Sequence, residues 1–500
     1  MPSKRIIRRS KEMKKKTRKK FAERSMAIAA ASAIMVSSMY APLSGAGAGE
    51  LFASVTARAE GAVVQPEGFS VENDLNQADP LTDGDYTYIV RSDDTAEIKS
   101  YTGSEKDIVI PDTLGDKTVT VIGEAAFKGN TEITSVKFPA TIIQIRDAAF
   151  RGASSLASID LPEGLQTLSP YCFAETALTY VKLPTTITNA SCPFSKCLSL
   201  EKVEIAEGAT AVPHGSMNLD TYGDTSYGCF ENCTALKEVI LPEGIEQIGS
   251  YAFYRCSSLE DIKLPSTLKT IGEKAFADCS SMKNIDMPEG VETLHFGVFS
   301  GTAIESVTIP SGLKKASRPF AGCETLKKVT FGPDMVKIPS GTTHLLEDIG
   351  IFEGCENLEE AVLPEGIEEI CYGAFSHCPS LKKINFPSTL KTIDALAFED
   401  TPSLTSIELN EGLKSLNGSC FKNSGLTYVK IPSTVTYARR PFTQSQNLKK
   451  VEFAEGMVTT PSEHDIKSFA YTSEHGIFED CPVLEEIVFP STLEYIGHYA

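Results

Sequence analysis

Long apolar runs, clustered positive charge and catalytic signatures are all scarce in this chain, and each scarcity excludes something. Past the N-terminus no segment is long and apolar enough to span a bilayer as a helix, so no further helical span is expected. Positive charge is concentrated at one end. The first 25 residues hold twelve Lys or Arg against Glu12 and Glu23, a local excess of +10 within a formal net charge of −19. The remainder stands near −29 with its Lys and Arg dispersed and without a cationic stripe, and so acidic a body repels nucleic acid. Also missing are His-Glu-x-x-His, Gly-x-Ser-x-Gly and a phosphate-cradling glycine loop. Cys371 and His377 come nearest to a nucleophile pair, but the sequence supplies neither an orienting acid nor an oxyanion hole for them. The expectation is a chain without catalytic residues and without a cofactor.

What the N-terminus does contain reads as an export signal. The cationic stretch 4–24 precedes the apolar run 26–36, and small-residue cleavage sites follow at Ala46-Gly47-Ala48 or Ala57-Arg58-Ala59. The run is short and rich in Ala and Ser, which favours a cleaved signal over an uncleaved anchor. Residues 1–59 are assigned to the signal and its processing region, and 60–84 to an acidic linker. Contact with a membrane is then expected only during export, and the destination is outside the cell or on its surface.

The dominant feature is a ruler of phenylalanines. Phe127, Phe150, Phe173, Phe194, Phe230, Phe253, Phe276, Phe299, Phe320, Phe352, Phe375, Phe398, Phe421, Phe442 and Phe478 are mostly 23 residues apart. A fixed period of that size means stacked supersecondary units, each unable to bury its apolar face alone. The unit 236–256 shows the plan. Leu236-Lys237-Glu238-Val239-Ile240-Leu241 alternates like a strand, and Pro242 closes it because proline cannot donate to a ladder. Pro-Glu-Gly or Pro-Ser-Thr supplies a turn, and an Ile-x-x-Ile spacing with an Ala-Phe pair brings apolar side chains back inward.

Thirteen cysteines would ordinarily announce disulfides in an exported chain. Eight of them, Cys197, Cys233, Cys256, Cys279, Cys323, Cys355, Cys378 and Cys481, stand three residues after a ruler Phe. Asn130, Thr176, Thr302, Thr401, Ser424 and Ser445 fill the same slot elsewhere. A slot shared by Cys, Asn, Thr and Ser suits a small buried side chain meeting backbone at a turn, so reduced structural thiols are expected.

The strand followed by Leu-Pro-x-x-Leu/Ile-x-x-Ile-Gly-x-x-Ala-Phe-x-x-Cys resembles the BspA-like leucine-rich repeats of bacterial surface proteins, over roughly 85–500. The stretch from Asp85-Tyr86-Thr87-Tyr88 to Ile108-Val109-Ile110-Pro111 resembles that family's N-terminal hairpin, which assigns 85–126 to a hairpin cap and 127–500 to about fifteen repeats. The resemblance implies an α/β-type repeat solenoid. It would be a curved leucine-rich-repeat rod with a parallel β-sheet on one face, and short strands, turns and short helical segments on the other. It also implies adhesion in many members, with no fixed ligand. The chain stops one residue before the next ruler Phe, so the solenoid is expected to be cut before its C-terminal cap.

A second period overlies the first. From Phe230 the gaps run 23, 23, 23, 21, 32, and from Phe352 they run 23, 23, 23, 21, 36; before Phe230 they are 23, 23, 21, 36. Duplicated five-repeat blocks explain this, and each block carries one long insert: 213–228, 339–350 and 461–476. The inserts hold His214, Asp220 and Asp224; His344, Glu347 and Asp348; and His464, Asp465 and His475. Their spacings differ, whereas a metal needs fixed ligand positions, so no metal site is expected. A protein or glycan contact and a tolerated surface insertion both remain open.

Outward strand positions are mostly polar, but become Glu238 and Ile240, Glu360 and Val362, Glu486 and Val488 just after each insert. An apolar residue on a wet face marks a candidate contact patch, against the plain β-propensity of Ile and Val. Tyr180 and Tyr428 occupy similar outward positions, with Ser306 in the middle block. The leading expectation is an exported binding protein contacting a protein or glycan on a host, matrix or neighbouring cell surface. Two other readings are kept: the targeting arm of an exported enzyme whose catalytic domain lies beyond residue 500, and a self-assembling surface layer.

Overall fold

The computed structural model describes residues 79–187, 189–213, 228–342, 348–461 and 476–496. The expected export signal and most of the expected linker lie outside the described residues. Antiparallel pairing occurs first: Leu81–Asp83 pairs with Tyr86–Val90, and Tyr86–Val90 with Ala96–Tyr101. From Ala96–Tyr101 against Lys117–Ile122 onward the coil-to-coil pairing becomes parallel.

Each coil contributes to three ladders. A longer strand such as Tyr180–Leu183 pairs in parallel with its successor Lys202–Ile205, with Val181 facing Val203 and Leu183 facing Ile205. Its residues alternate exposed, buried, exposed, buried, as a pleat with one wet face requires. A two-residue strand follows the proline turn, as in Gln247–Ile248, Thr270–Ile271 and Thr293–Leu294, again parallel. The third ladder is made of turns around the ruler phenylalanines.

That third ladder corrects the expectation of short helical segments, since no helix occurs among the described residues. Around Phe253 the N–H groups of Tyr251, Phe253 and Arg255 donate to Glu273, Ala275 and Ala277 of the next coil at 2.8–2.9 Å. Those of Ala252, Tyr254 and Cys256 instead close three-residue turns on Gly249, Tyr251 and Phe253. Tyr251 and Arg255 hold the left-handed region at φ 57° and 61°, which breaks the run of helical dihedrals on both sides of the ring. With every second N–H committed between coils, the i to i−4 bonds of an α-helix cannot form.

The core is one continuous apolar column. All consecutive ruler phenylalanines stack, from Phe127–Phe150 at 4.7 Å between centroids to Phe442–Phe478 at 6.4 Å, with planes within 17°. Tyr101 and Tyr86 extend this stack into the N-terminal hairpin. The same hairpin buries Glu97, which lies 3.1–3.6 Å from Lys99, Arg146 and Arg91.

The cysteines are all free, and all but the half-buried Cys481 are fully buried. Cys256 Sγ donates to the carbonyl oxygen of Phe230 at 3.2 Å, and Cys233, Cys279 and Cys378 repeat the contact one coil along. Thr302 turns its hydroxyl onto the carbonyl of its own coil's Phe299, which Cys323 Sγ of the next coil also reaches at 2.8 Å. The slot therefore selects a small donor for a carbonyl that the turn geometry leaves facing inward.

The two turn sequences interlock. Glu243 of Pro-Glu-Gly accepts hydrogen bonds from the N–H and hydroxyl of Ser266 in the following Pro-Ser-Thr turn, at 3.1 and 2.9 Å. Thr267 Oγ1 accepts from Gly244 N–H and donates to the carbonyl of Ile245. Glu365 with Ser388 and Glu455 with Ser491 repeat the lock.

Candidate functional site

The longer strands are hydrogen-bonded in short groups rather than as one sheet. Three groups coincide with the blocks: Tyr180–Leu183 with Lys202–Ile205 and Glu238–Ile240; Ser306–Ile309 with Lys328–Phe331, Glu360–Val362 and Lys383–Ile384; and Tyr428–Ile431 with Lys450–Phe453 and Glu486–Val488. Every candidate contact residue falls in one of these groups. Tyr180 and Tyr428 are each 40% exposed and Ile240 is 38% exposed, while Val362 and Val488 are half-buried. Glu238 and Glu486 are exposed, and Glu360 is half-buried.

Register turns these separate positions into two rows across each group. In the first block one row runs Tyr180, Lys202, Glu238 and the next runs Lys182, Glu204, Ile240. Tyr180 donates its phenol to Glu204 at 3.0 Å; Lys182 pairs with Glu204 at 2.6 Å and Lys202 with Glu238 at 2.8 Å. The third block reproduces the whole set. Tyr428 donates to Glu452 at 3.0 Å, Lys430 pairs with Glu452 at 3.0 Å, and Lys450 with Glu486 at 2.9 Å. Lys182 and Tyr180 hold the Glu204 carboxyl below its usual range, as Lys430 and Tyr428 do for Glu452.

The middle block departs from this pattern. Ser306 stands where the tyrosines stand, and the Lys–Glu pair is replaced by Thr308 and Thr330, whose hydroxyls are 2.8 Å apart. Lys328 pairs with Glu360 at 3.0 Å, and Lys383 pairs with the same carboxylate at 2.6 Å. These two cations depress Glu360, Lys383 more strongly. Lys182, Lys202, Glu204, Lys430, Lys450 and Glu452 were not singled out from sequence. Their signal was available as identical residues at matching offsets in two blocks.

The insert residues His214, Asp220, Asp224, His344, Glu347, His464, Asp465 and His475 lie outside the described residues. The middle insert is flanked by an antiparallel hairpin, Ser340–Thr342 with Asp348–Gly350. Gly350 closes it where a Cβ would stand 1.7 Å from the carbonyl oxygen of Gly373, and Gly228 meets Tyr251 equally closely in the first block. Among the described residues no cluster of three or more His, Cys, Asp or Glu could hold a metal ion, and no helix is long and apolar enough to cross a membrane.

His377 sits between two groups, Ser376 Oγ at 2.7 Å from Nδ1 and Asp400 Oδ2 at 3.1 Å from Nε2. Ser376 is buried, so its hydroxyl is closed to a substrate, and Asp400 passes the row on to Asn423 at 2.7 Å. This is a polar row of the turn ladder. Cys371 contacts Glu369 at 4.0 Å, and burial pushes its thiol up to about 12, the reverse of what nucleophile activation needs.

The sequence profile described as "BspA type Leucine rich repeat region (6 copies)" matches residues 100–218, 225–327, 348–465 and 471–500. The chain belongs to that family. The fold of this BspA-type chain is also that of a leucine-rich repeat protein from Bacteroides ovatus, at 24% identity over 82% of this chain and 99% of the other, with a TM-score of 0.52. A leucine rich cell surface protein from Faecalibacterium prausnitzii matches at 21% identity over 82% of this chain and 94% of its own, TM-score 0.33. The pneumococcal vaccine antigen PcpA matches at 18% identity over 84% and 99%, TM-score 0.35. No curated protein matches the chain.

Proposed function

We propose that this BspA-type protein is an exported, surface-displayed binding protein that holds a repetitive macromolecular partner, adhesin-like, through the exposed strand face and the three inserts. The observation that carries the reading is the duplicated set Tyr180, Lys182, Lys202, Glu204, Glu238, Ile240 and Tyr428, Lys430, Lys450, Glu452, Glu486, Val488. Burial does not require these residues, because their side chains point away from the core. Tyrosine beside paired charges and one aliphatic residue is the mixture that binding surfaces favour, a rigid amphipathic ring set among polar groups. Two such sets on one scaffold give avidity only to a partner that presents its own epitope repeatedly, such as a fibre or a cell-surface glycan. The net acidity of the body disfavours nucleic acid as that partner.

The test is attachment of the full exported protein to immobilised matrix proteins and glycans. The triple variant Ile240→Lys, Val362→Lys, Val488→Lys is expected to attach more weakly while secretion and the unfolding midpoint stay unchanged. Undiminished attachment would overturn the contact patch.

A further inference from the structure

The middle block differs from its neighbours in a way that opens space. A depression of about 300 Å³ lies on the strand face, lined by Asn284 and Asp286 from one coil, Ser306 and Thr308 from the next, and Lys328 and Thr330 from the third. In the outer blocks the equivalent space is crossed by the Tyr180 or Tyr428 ring on its way to Glu204 or Glu452, and by the Lys182 or Lys430 side chain reaching the same acid. Serine and two threonines in those places remove the ring and both long side chains. The depression is thus written into the sequence of this block.

Its chemistry narrows the occupant. The side chains of Asn284, Asp286 and Ser306 make no hydrogen bond or ion pair among the described residues, so an amide, a carboxylate and a hydroxyl are all available. Lys328 is engaged by Glu360 on one side and retains donors for the depression. The floor is strand backbone, because Ile285, Val307 and the partly buried Met287 turn their side chains inward to the core. Donors and acceptors mixed around a small open depression fit a neutral ligand that itself bears several hydroxyls. The free carboxylate of Asp286 disfavours an anion, and no aromatic or large apolar wall is present for a hydrophobic ligand.

We propose that this depression is a subsite for one neutral hexose or N-acetylhexosamine residue of a glycan, with Asp286 and Asn284 hydrogen-bonding adjacent hydroxyls and Lys328 donating from the opposite wall. It rests on the reading of the strand face as the contact surface, and it gives the middle block a different ligand contact from the outer two. A single sugar in a shallow open site binds weakly, in the millimolar range, so a polymer would be held by repetition.

The experiment titrates the full exported chain with the methyl glycosides of glucose, galactose, mannose and N-acetylglucosamine, followed by ligand-observed NMR. At least one is expected to bind saturably, and Asp286→Ala to weaken it at least tenfold. Ser306→Tyr, which restores the residue of the sibling blocks and so preserves the fold, is expected to abolish binding with an unchanged unfolding midpoint. The converse double variant Tyr180→Ser, Lys182→Thr opens the first block and is expected to raise the stoichiometry. No saturable binding of any glycoside, or full binding by Ser306→Tyr, overturns the subsite. Saturable binding of methylammonium at Asp286 in place of the glycosides overturns it too. The double variant Ile240→Lys, Val488→Lys leaves the depression untouched. If it loses attachment while the glycosides fail to bind wild type, the surface reading stands and the sugar subsite falls; glycoside binding with unaltered attachment gives the reverse.

Discussion

Tyr428 donates its phenol to Glu452 at 3.0 Å, and Tyr180 does the same to Glu204 at the same distance two blocks earlier. Each bond crosses a strand boundary diagonally, and each acid is shared with a lysine. Such exposed networks add little to stability. Their recurrence follows the block duplication, and the role proposed for them is contact rather than folding.

Avidity makes this testable. Tyr180→Ala or Tyr428→Ala alone should shift the unfolding midpoint little, yet lower attachment to a multivalent surface by about tenfold or more through loss of one of two linked sites. The double variant should fall to background. Surface plasmon resonance against dense and sparse ligand layers checks it, and equal behaviour of single and double variants would refute two-site binding.

The phenylalanine stack sets cooperativity. Phe276 lies fully buried between Phe253 at 5.5 Å and Phe299 at 5.8 Å. Phe276→Ala should cost about 3–5 kcal/mol, and Phe276→Leu distinctly less. Urea denaturation gives the magnitude. Hydrogen exchange should show the loss centred on coils 253–299, because each coil contacts only its neighbours.

The buried thiols should be inert and pH-sensitive in one direction. Burial pushes Cys279 and Cys378 from an ordinary 9.0 up to about 12. The folded state therefore keeps its protons where the unfolded chain loses them. This contribution to stability is full below pH 9 and is lost progressively as pH rises toward 12. Maleimide at pH 7.5 should leave these cysteines unlabelled in the native protein and label them once urea unfolds it. Native labelling at Cys279 would contradict the burial.

Glu97 ties the hairpin to the coils. Its carboxylate is buried among Arg91, Lys99 and Arg146. Glu97→Ala strands these cations and should cost about 2 kcal/mol, below the 3–5 of a fully buried pair because Lys99 and Arg146 reach solvent. Proteolysis should then begin within 81–101. Glu97→Gln should lie between the two, since an amide still accepts a hydrogen bond.

Part of this architecture is legible in residue spacing. The alternation of Pro-Glu-Gly and Pro-Ser-Thr was visible as two kinds of turn, but the lock between Glu243 and Ser266 needs two coils side by side. The turn ladder was harder to read. Ala-Phe flanked by polar residues resembles the start of a helix, and only the neighbouring coil, by accepting the N–H groups of Tyr251, Phe253 and Arg255, diverts the backbone from one.

The sequence by itself determined the repeat, the inward aromatic and the small-donor slot, because a periodic chain must bury the same face at every turn. Tertiary structure alone decided which outward residues meet. Lys202 faces Glu238 across the first insert at a separation of 36 residues, whereas Tyr180 faces Lys202 at 22. Contacts on the strand face follow coil register rather than chain distance. The depression beside Ser306 likewise exists only once three coils lie next to one another.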